Sequence, residues 1–388
     1  MANTSRAWTF SHRGSPTDIL SLTSSHPIPT FPPPQSKEEE QEWILIKVSF
    51  AALNPGAIFQ MSLIPTFLRN KTCVPEMDLS GTVHDVWHPH ATIESESNTT
   101  STRFRKGDKA IAMIPASHAL PTGSGALAEY VALPARFAVH KPPQASFADA
   151  AGCLLTGMTA RQQVVEAGLK PGHRVLVNAA SGGIGTMAVQ MARHTVGPGG
   201  FVVGICSARN AQLVESLGAD LVIDYTQLTD KNNNRNSSRS LPAHLAQTFH
   251  ASPFNAIIDT LGHQPLYANS PAYLAPSGIY CSVGIKPPDF SIPAFLRAVW
   301  QMKLNEWWPV SRWLGGVGRL WRGVSMMEPT LQDRERIAEM LRHGQIRVVR
   351  DSVWRFEDVK EAYAKLGGLH ARGKILVRVD EAVGDDEC

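Results

Sequence analysis

The chain moves between two rhythms of apolar and polar positions. Over residues 6–140, short apolar runs stand between turn residues. Ile44-Leu-Ile-Lys-Val-Ser-Phe50 is β-branched with a partial alternation, and Asp78-Leu-Ser-Gly-Thr-Val83 and Lys109-Ala-Ile-Ala-Met-Ile114 are further predicted strands. Gly107-Asp108 marks a turn, and Pro-rich stretches at 27–34 and 142–143 act as punctuation. This part reads as β-rich. Over residues 145–285 the rhythm changes. The short buried strand Val175-Leu-Val177 leads into a Gly-rich turn and a helical run. Strand Phe201–Ile205, helix Ala211–Leu217 closed by Gly218, and strands Asp220–Ile223, Ala256–Ile258 and Gly278–Val283 follow. Strands alternating with helices predict a parallel sheet with right-handed crossovers. Residues 330–388 predict helix Leu331–Leu341, a strand, helix Phe356–Leu366 and a last strand, Lys374–Val379.

Three stretches break the pattern. Residues 88–103 are polar and rich in Ser and Thr, and 226–240 contain Asn232-Asn-Asn234 and Ser237-Ser238; both read as surface insertions. Residues 286–328 carry Trp300, Trp307, Trp308, Trp313 and Trp321 among Phe290, Phe295, Leu296, Leu304 and Leu314. That segment reads as a helical hairpin in the core or at a dimer interface. The competing readings are a lid over an apolar substrate and a membrane-surface contact.

The strongest chemical signal is Val175-Leu-Val-Asn-Ala-Ala-Ser-Gly-Gly-Ile-Gly185 and the helix after it. Ala180, Gly182 and Gly185 form an A-x-G-x-x-G turn between a predicted strand and a predicted helix, the context that gives such a pattern meaning. Gly182 lets backbone approach a pyrophosphate, Gly185 lets helix and strand pack closely, and the helix start favours phosphate charge. A dinucleotide is the expected ligand, with a plain strand–helix turn as the alternative. An acid about 20 residues on marks NAD binding. Between Thr186 and Asn210 there is none, and the next strand ends at Cys206-Ser-Ala-Arg-Asn210. Ser207 and Arg209 suit a 2′-phosphate, so NADPH is the expected cofactor.

The 388 residues suffice for two domains, with 43% hydrophobic and 18% charged residues. A net charge of +3 is too small a surplus to suggest nucleic-acid binding. Five cysteines, Cys73, Cys153, Cys206, Cys281 and Cys388, include no CxxC pair. Reduced thiols and a cytoplasmic location are expected. The first ten residues lack an apolar signal region, and no stretch reaches the roughly 18 apolar residues a membrane span needs. The sequons at Asn70, Asn98 and Asn236 are read as chance occurrences.

In its motifs the chain resembles the medium-chain dehydrogenase/reductases, in their quinone oxidoreductase- and enoyl reductase-like branch. The motifs are Ala52-Leu-Asn-Pro55, Pro75-Glu-Met-Asp-Leu-Ser-Gly-Thr-Val83, Lys106-Gly-Asp108, Gly125-Ala-Leu-Ala-Glu-Tyr-Val131 and Ala150-Ala-Gly-Cys-Leu-Leu-Thr-Gly-Met-Thr-Ala160. Ala179–Gly185, Leu217-Gly-Ala-Asp220, Ile223-Asp-Tyr225 and Arg372-Gly-Lys-Ile375 complete them. The resemblance implies an α/β fold: a Rossmann doubly wound parallel sheet plus a β-rich GroES-like catalytic domain. The N-terminal catalytic part would span 1–140, the Rossmann domain 141–300, and the Trp-rich segment with the return to the catalytic domain 301–388. The resemblance further implies cofactor contacts at Thr156, Ser181, Gly182, Gly183, Ile184, Gly185, Ser207, Arg209 and Tyr225, with Leu261 and Val283 near the nicotinamide. Lys374 is read either as a phosphate contact or as a strand-start residue.

Zinc alcohol dehydrogenases share this fold, so the metal is a separate question. Where they carry a catalytic Cys this chain has Asn54, Met77 stands in the histidine's place, and the third ligand would fall on Gly152, one position before Cys153. The four-cysteine lobe is missing, and His84, His88 and His90 read as solvated. No zinc is expected. The acid common after Asn-Pro in the zinc-free branch is Ala57 here. Hydride transfer to an activated C=C or a quinone is the expected chemistry, with Asn54, Gln60 and Thr156 as candidate donors to the developing enolate. The expected partner is a small apolar or aromatic substrate of polyketide type; a homodimer and docking to a synthase stay open. A non-enzymatic NADPH-binding protein and a carbonyl reductase are the alternatives.

Overall fold

The computed structural model describes residues 4–31, 42–88, 103–228, 240–289, 291–308, 312–325 and 328–388. Phe290, His90, Asn98, Asn236 and most of both polar insertions lie outside the described residues. The chain divides into two compact units: Met1–Met158 with Met327–Cys388, and Thr159–Met326.

Unit 1 holds β1 (Thr4–Thr9), β2 (Ser21–Pro27), β3 (Trp43–Ala52), β4 (Asp78–Trp87), β5 (Lys109–Met113), β6 (Tyr130–Pro134) and β7 (Ala138–His140). Unit 2 holds β8 (Arg174–Asn178), β9 (Phe201–Cys206), β10 (Leu221–Asp224), β11 (Phe254–Asp259), β12 (Leu274–Ser282) and β13 (Leu320–Gly323). The chain then returns to unit 1 as β14 (Arg350–Arg355) and β15 (Lys374–Arg378).

In unit 1, β3 is the organising strand. Nine of its ten positions are buried, because it pairs antiparallel with β4, β6 and β15. Apart from the β14–β15 pair, which is parallel, every ladder of this seven-stranded sheet is antiparallel. A strand enclosed on all sides reads as a near-continuous apolar run, which is why Ile44–Phe50 shows only a partial alternation. The core joins both ends of the chain: Trp8, Phe10, Ile44, Met61 and Phe104 pack with Phe356 and Tyr363, and Trp8 Nε1 donates to the Phe356 carbonyl at 2.7 Å. Residues 141–158, placed with the cofactor domain by the sequence reading, fall in unit 1. Helix Phe147–Ala151 buries Phe147, Ala148 and Ala151 against Phe50, Ala52 and Leu376.

Unit 2 is a six-stranded sheet, parallel throughout, in the order β10-β9-β8-β11-β12-β13. The order reverses between β8 and β11, and open parallel sheets bind ligands outside the carboxyl ends of the strands at such a point. The helical hairpin expected over 286–328 is corrected. One helix, Ile292–Trp307, is followed by a short 3₁₀ turn, and β13 then adds to the sheet, so residues 301–325 belong to unit 2. The helix packs with Ala294 and Ala298 buried, while its large side chains stay outside: Trp300 is 65%, Trp307 74% and, just beyond, Trp313 91% exposed. Trp321 alone of the five is buried, on β13 in the unit 2 core. Among the described residues no helix is long and apolar enough to cross a membrane.

Candidate active site

In unit 2 the Gly-rich turn joins β8 to helix Gly183–Val196. Ala179 takes a φ of +54°, a left-handed conformation uncommon for a residue with a Cβ, and the chain reverses there. Gly182 is the N-cap and gives no side-chain cap, so the helix's first N–H groups, from Gly183 onward, have no partner inside the helix. A Cβ on Gly185 would lie 2.1 Å from the Ala179 carbonyl oxygen, so the close approach of turn and helix requires glycine. A Cβ on Gly182 would meet the same oxygen at 3.4 Å, an ordinary contact. The protein's own packing therefore does not demand glycine at 182; an external group approaching the backbone is a reason that remains. Asn210 Nδ2 donates to Ser181 Oγ at 3.0 Å and ties the turn to the end of β9.

The end of β9 presents Ser207, half-buried, and Arg209, exposed; Tyr225, 37% exposed, follows the neighbouring β10. The structure thus brings Ser181, Ser207, Arg209 and Tyr225 to the carboxyl ends of adjacent strands. It adds one acid that sequence reasoning missed. Asp224 accepts the Thr226 N–H at 3.0 Å, the Thr226 hydroxyl at 2.7 Å and the Ala208 N–H, which places a carboxylate against the Ser207–Arg209 turn.

Across the switch point, the fully buried Asp259 closes β11. Its carboxylate accepts from Asn178 Nδ2 at 2.8 Å, from the Leu261 and Gly262 N–H groups at 3.1 Å each, from the His263 N–H at 2.6 Å and from the Tyr280 hydroxyl at 2.7 Å. One side chain therefore joins β8, β11 and β12 and sets the loop carrying Leu261. Gly262 donates nothing further but accepts the Lys286 N–H at 3.0 Å, which holds that loop to the one after Val283. The signal in the sequence was an acid ending the apolar run Ala256–Ile258.

In unit 1, Asn54, Glu76, Asp78, Lys374 and Tyr363 form a cluster sealed from solvent. Lys374, 3% exposed, donates from Nζ to Asn54 Oδ1 at 2.6 Å and to the Leu53 carbonyl at 3.1 Å, and lies 3.9 Å from Asp78 Oδ2. Its ammonium is thus directed toward oxygens of unit 1. Asn54 is equally committed: Nδ2 donates to the Ala52 carbonyl at 3.0 Å, to Glu76 Oε2 at 3.2 Å and to Asp78 Oδ2 at 3.4 Å. Glu76 also accepts the Asn54 N–H and, at 2.6 Å, the Tyr363 hydroxyl. It holds a φ of +72°, a strained backbone that its side-chain contacts stabilise. Thr156 is buried with its hydroxyl on the Gly152 carbonyl at 2.9 Å, and Gln60 is half-buried on helix Pro55–Leu63.

Comparison with known proteins adds lineage to this geometry. Residues 217–377 match the family model of zinc-binding dehydrogenases. The chain is 32% identical over 399 residues to the medium chain reductase pydE of an Acremonium species, covering 98% of this chain and 100% of that one. The chain belongs to the medium-chain dehydrogenase/reductase family. Over 407 residues it is 30% identical to the trans-enoyl reductase poxH of Penicillium oxalicum, with 97% and 98% of the two chains covered. The quinone oxidoreductase of Coxiella burnetii shares the fold, with a TM-score of 0.69 at 23% identity over 97% of this chain and 100% of that one. The protein is an oxidoreductase with the expected pairing of a Rossmann sheet and a β-rich unit, in a family that uses nicotinamide cofactors.

The family description includes zinc, and the donors of this reductase test it. Zinc takes thiolate, imidazole or carboxylate in a tetrahedral set. Here the buried Cys153 thiol lies one position past the expected ligand site and donates to the Ala150 carbonyl at 3.1 Å. Asn54 offers only an amide oxygen, and that oxygen already faces an ammonium. Among the described residues no group of three or more His, Cys, Asp and Glu side chains is placed to hold a metal ion. The residues present do not fit zinc.

Burial raises Glu76 to about 7 and Asp78 to about 6, with Lys374 and the hydrogen bonds pulling both partly back. The folded reductase therefore binds these protons more tightly than the unfolded chain. The stability this brings is complete below the carboxylates' unfolded values and is lost as pH rises through about 6 to 7. Between pH 5 and pH 8 the coupled pair is expected to lower the unfolding free energy by on the order of 3 kcal/mol. Urea unfolding at both pH values checks this: Asp78→Asn should flatten the slope, and an unchanged slope would contradict it.

Proposed function

We propose that the chain is an NADPH-dependent, zinc-independent reductase of a C=C bond conjugated to a carbonyl, or of a quinone, in a lipophilic, polyketide-type substrate. The observation that carries this reading is the full-length relationship to enzymes named trans-enoyl reductases, joined to a phosphate-ready turn at the switch point. When bound, NADPH supplies the hydride. The N–H groups of Gly183, Ile184 and Gly185 receive the pyrophosphate beside Ser181 and Gly182. Ser207, Arg209 and Tyr225 receive the 2′-phosphate, with Arg209 giving the bidentate contact. Leu261 and Val283, set by Asp259, would bound the nicotinamide, and Thr156 is a further proposed cofactor contact. Gln60 orients the substrate carbonyl, while Asn54 and Lys374 support the backbone beneath it. The exposed Trp300, Trp307 and Trp313 support a lipophilic substrate, and the same surface suits a synthase or a second copy of the chain.

Fluorescence titration with NADPH and NADH, followed by phenanthrenequinone or a simple enone, tests this reading. Tighter binding of NADPH is expected, and Arg209→Ala should weaken it about tenfold or more, the loss of roughly 1.5–3 kcal/mol for a hydrogen bond to a charged group, while leaving NADH unchanged. Equal affinity for the two cofactors would remove the roles given to Ser207 and Arg209 and turn attention to Asp224 as a ribose ligand.

A further inference from the structure

We infer that the Lys374 ammonium is the resident cation of this reductase, standing among positions that by motif carry the metal ligands in zinc-bearing members of the family and linking Asn54, Asp78 and Glu76 into one unit. This is independent of which substrate is reduced. By motif, Asn54 and Gly152 stand where two of the three zinc ligands would stand. The Lys374 side chain spans both positions. Its stem passes Gly152, where a Cβ would lie 3.3 Å from Lys374 Cγ, and its head sits 2.6 Å from Asn54 Oδ1. A side chain at 152 would crowd this stem together with Val348, whose Cγ1 would lie at 3.1 Å.

The chemistry around the head is that of a cation site. An amide oxygen, the Leu53 carbonyl oxygen and an Asp78 carboxylate oxygen converge on it, all hard oxygen donors. Asn54 then acts as adaptor: its oxygen takes the ammonium's hydrogen bond while its Nδ2 turns to the two carboxylates. The other groups facing the cluster are the neutral Tyr363 hydroxyl and Cys153 thiol, with Arg334 acting on Asp78 from farther off. The cluster thus sets a single ammonium against two acids, and with both ionised at pH 8 it carries one net negative charge. Without the lysine, two sealed carboxylates would face each other with no counter-ion, the situation in which a broken buried pair is most costly. Lys374 is therefore a positioning residue. It fixes Asn54 at the end of β3 and keeps a metal out.

The test uses full-length protein at pH 8: wild type, Lys374→Met and the double variant Lys374→Met/Asp78→Asn, read by metal content and thermal midpoint. Wild type should carry no stoichiometric zinc, and added Zn²⁺ or EDTA should leave its midpoint unchanged. Lys374→Met should lose roughly 10 °C. The double variant, which removes one negative charge along with the positive one, should recover most of that loss. If the single variant fails to fold, folding of the double variant carries the same meaning. Stoichiometric zinc in the wild type, or a double variant no more stable than the single one or unfolded alongside it, would overturn the inference.

Discussion

Replacing Asp259 by alanine is expected to destabilise unit 2 by more than about 4 kcal/mol and to remove measurable NADPH binding. The carboxylate satisfies three backbone N–H groups, the Asn178 amide and the Tyr280 hydroxyl in a fully buried setting. Each donor left without a partner costs roughly 1–3 kcal/mol, and neighbours in one network do not add simply. Asp259→Asn is the milder change, because its amide oxygen still accepts while its NH₂ meets other donors. Tyr280→Phe removes only one donor and leaves the other four bonds in place, so it should cost about 1 kcal/mol. Urea unfolding followed by tryptophan fluorescence, with Trp321 in the unit 2 core as reporter, measures the ranking Asp259→Ala, Asp259→Asn, Tyr280→Phe. Equal effects for all three would mean that Asp259 is not the centre of the network.

Gly185→Ala is the second large effect. The added methyl would lie 2.1 Å from the Ala179 oxygen, with Ala180 Cα at 2.8 Å; both are backbone atoms, so no side chain can swing aside. Helix Gly183–Val196 must then move away from β8, in a core where overpacking costs roughly 1–3 kcal/mol or more. Because the helix's free N–H groups move with it, cofactor affinity should fall along with stability. Gly182→Ala separates the two readouts. Its Cβ meets only an ordinary 3.4 Å contact, so stability should hold while NADPH affinity falls. A Gly182→Ala protein that binds NADPH as wild type does would show that no ligand approaches the backbone there.

Much of this site was legible because its signals are local. The turn at Ala180–Gly185 lies between one strand and one helix, and Ser207 and Arg209 follow the next strand directly, so order along the chain is order in space. Periodicity likewise marked β3, β4, β5 and β15 to within a few residues. What escaped is held together by distant partners. Tyr363 reaches Glu76 across 287 positions and Lys374 reaches Asn54 across 320, and no local pattern reports such contacts. In sequence Lys374 reads as a phosphate contact or a plain strand-start residue, and nothing nearby in the chain reports the oxygens around its head. The pair Glu76 and Asp78, two acids entering an apolar strand, was the one local hint that a buried counter-charge existed. In the Trp-rich segment, aromatic content suggested a buried hairpin. The helix instead buries its alanines, because close packing there needs small side chains and leaves the large ones outside.

The central claim, reduction of a conjugated C=C bond with NADPH, is tested most directly by product analysis. Purified protein is incubated with NADPH and a simple lipophilic enone, and the product is identified by mass spectrometry and NMR. The account expects NADPH consumption matched by a product that has gained two hydrogens across the C=C bond and kept its carbonyl. An allylic alcohol, or no consumption of enone or quinone by protein that binds NADPH tightly, would contradict it.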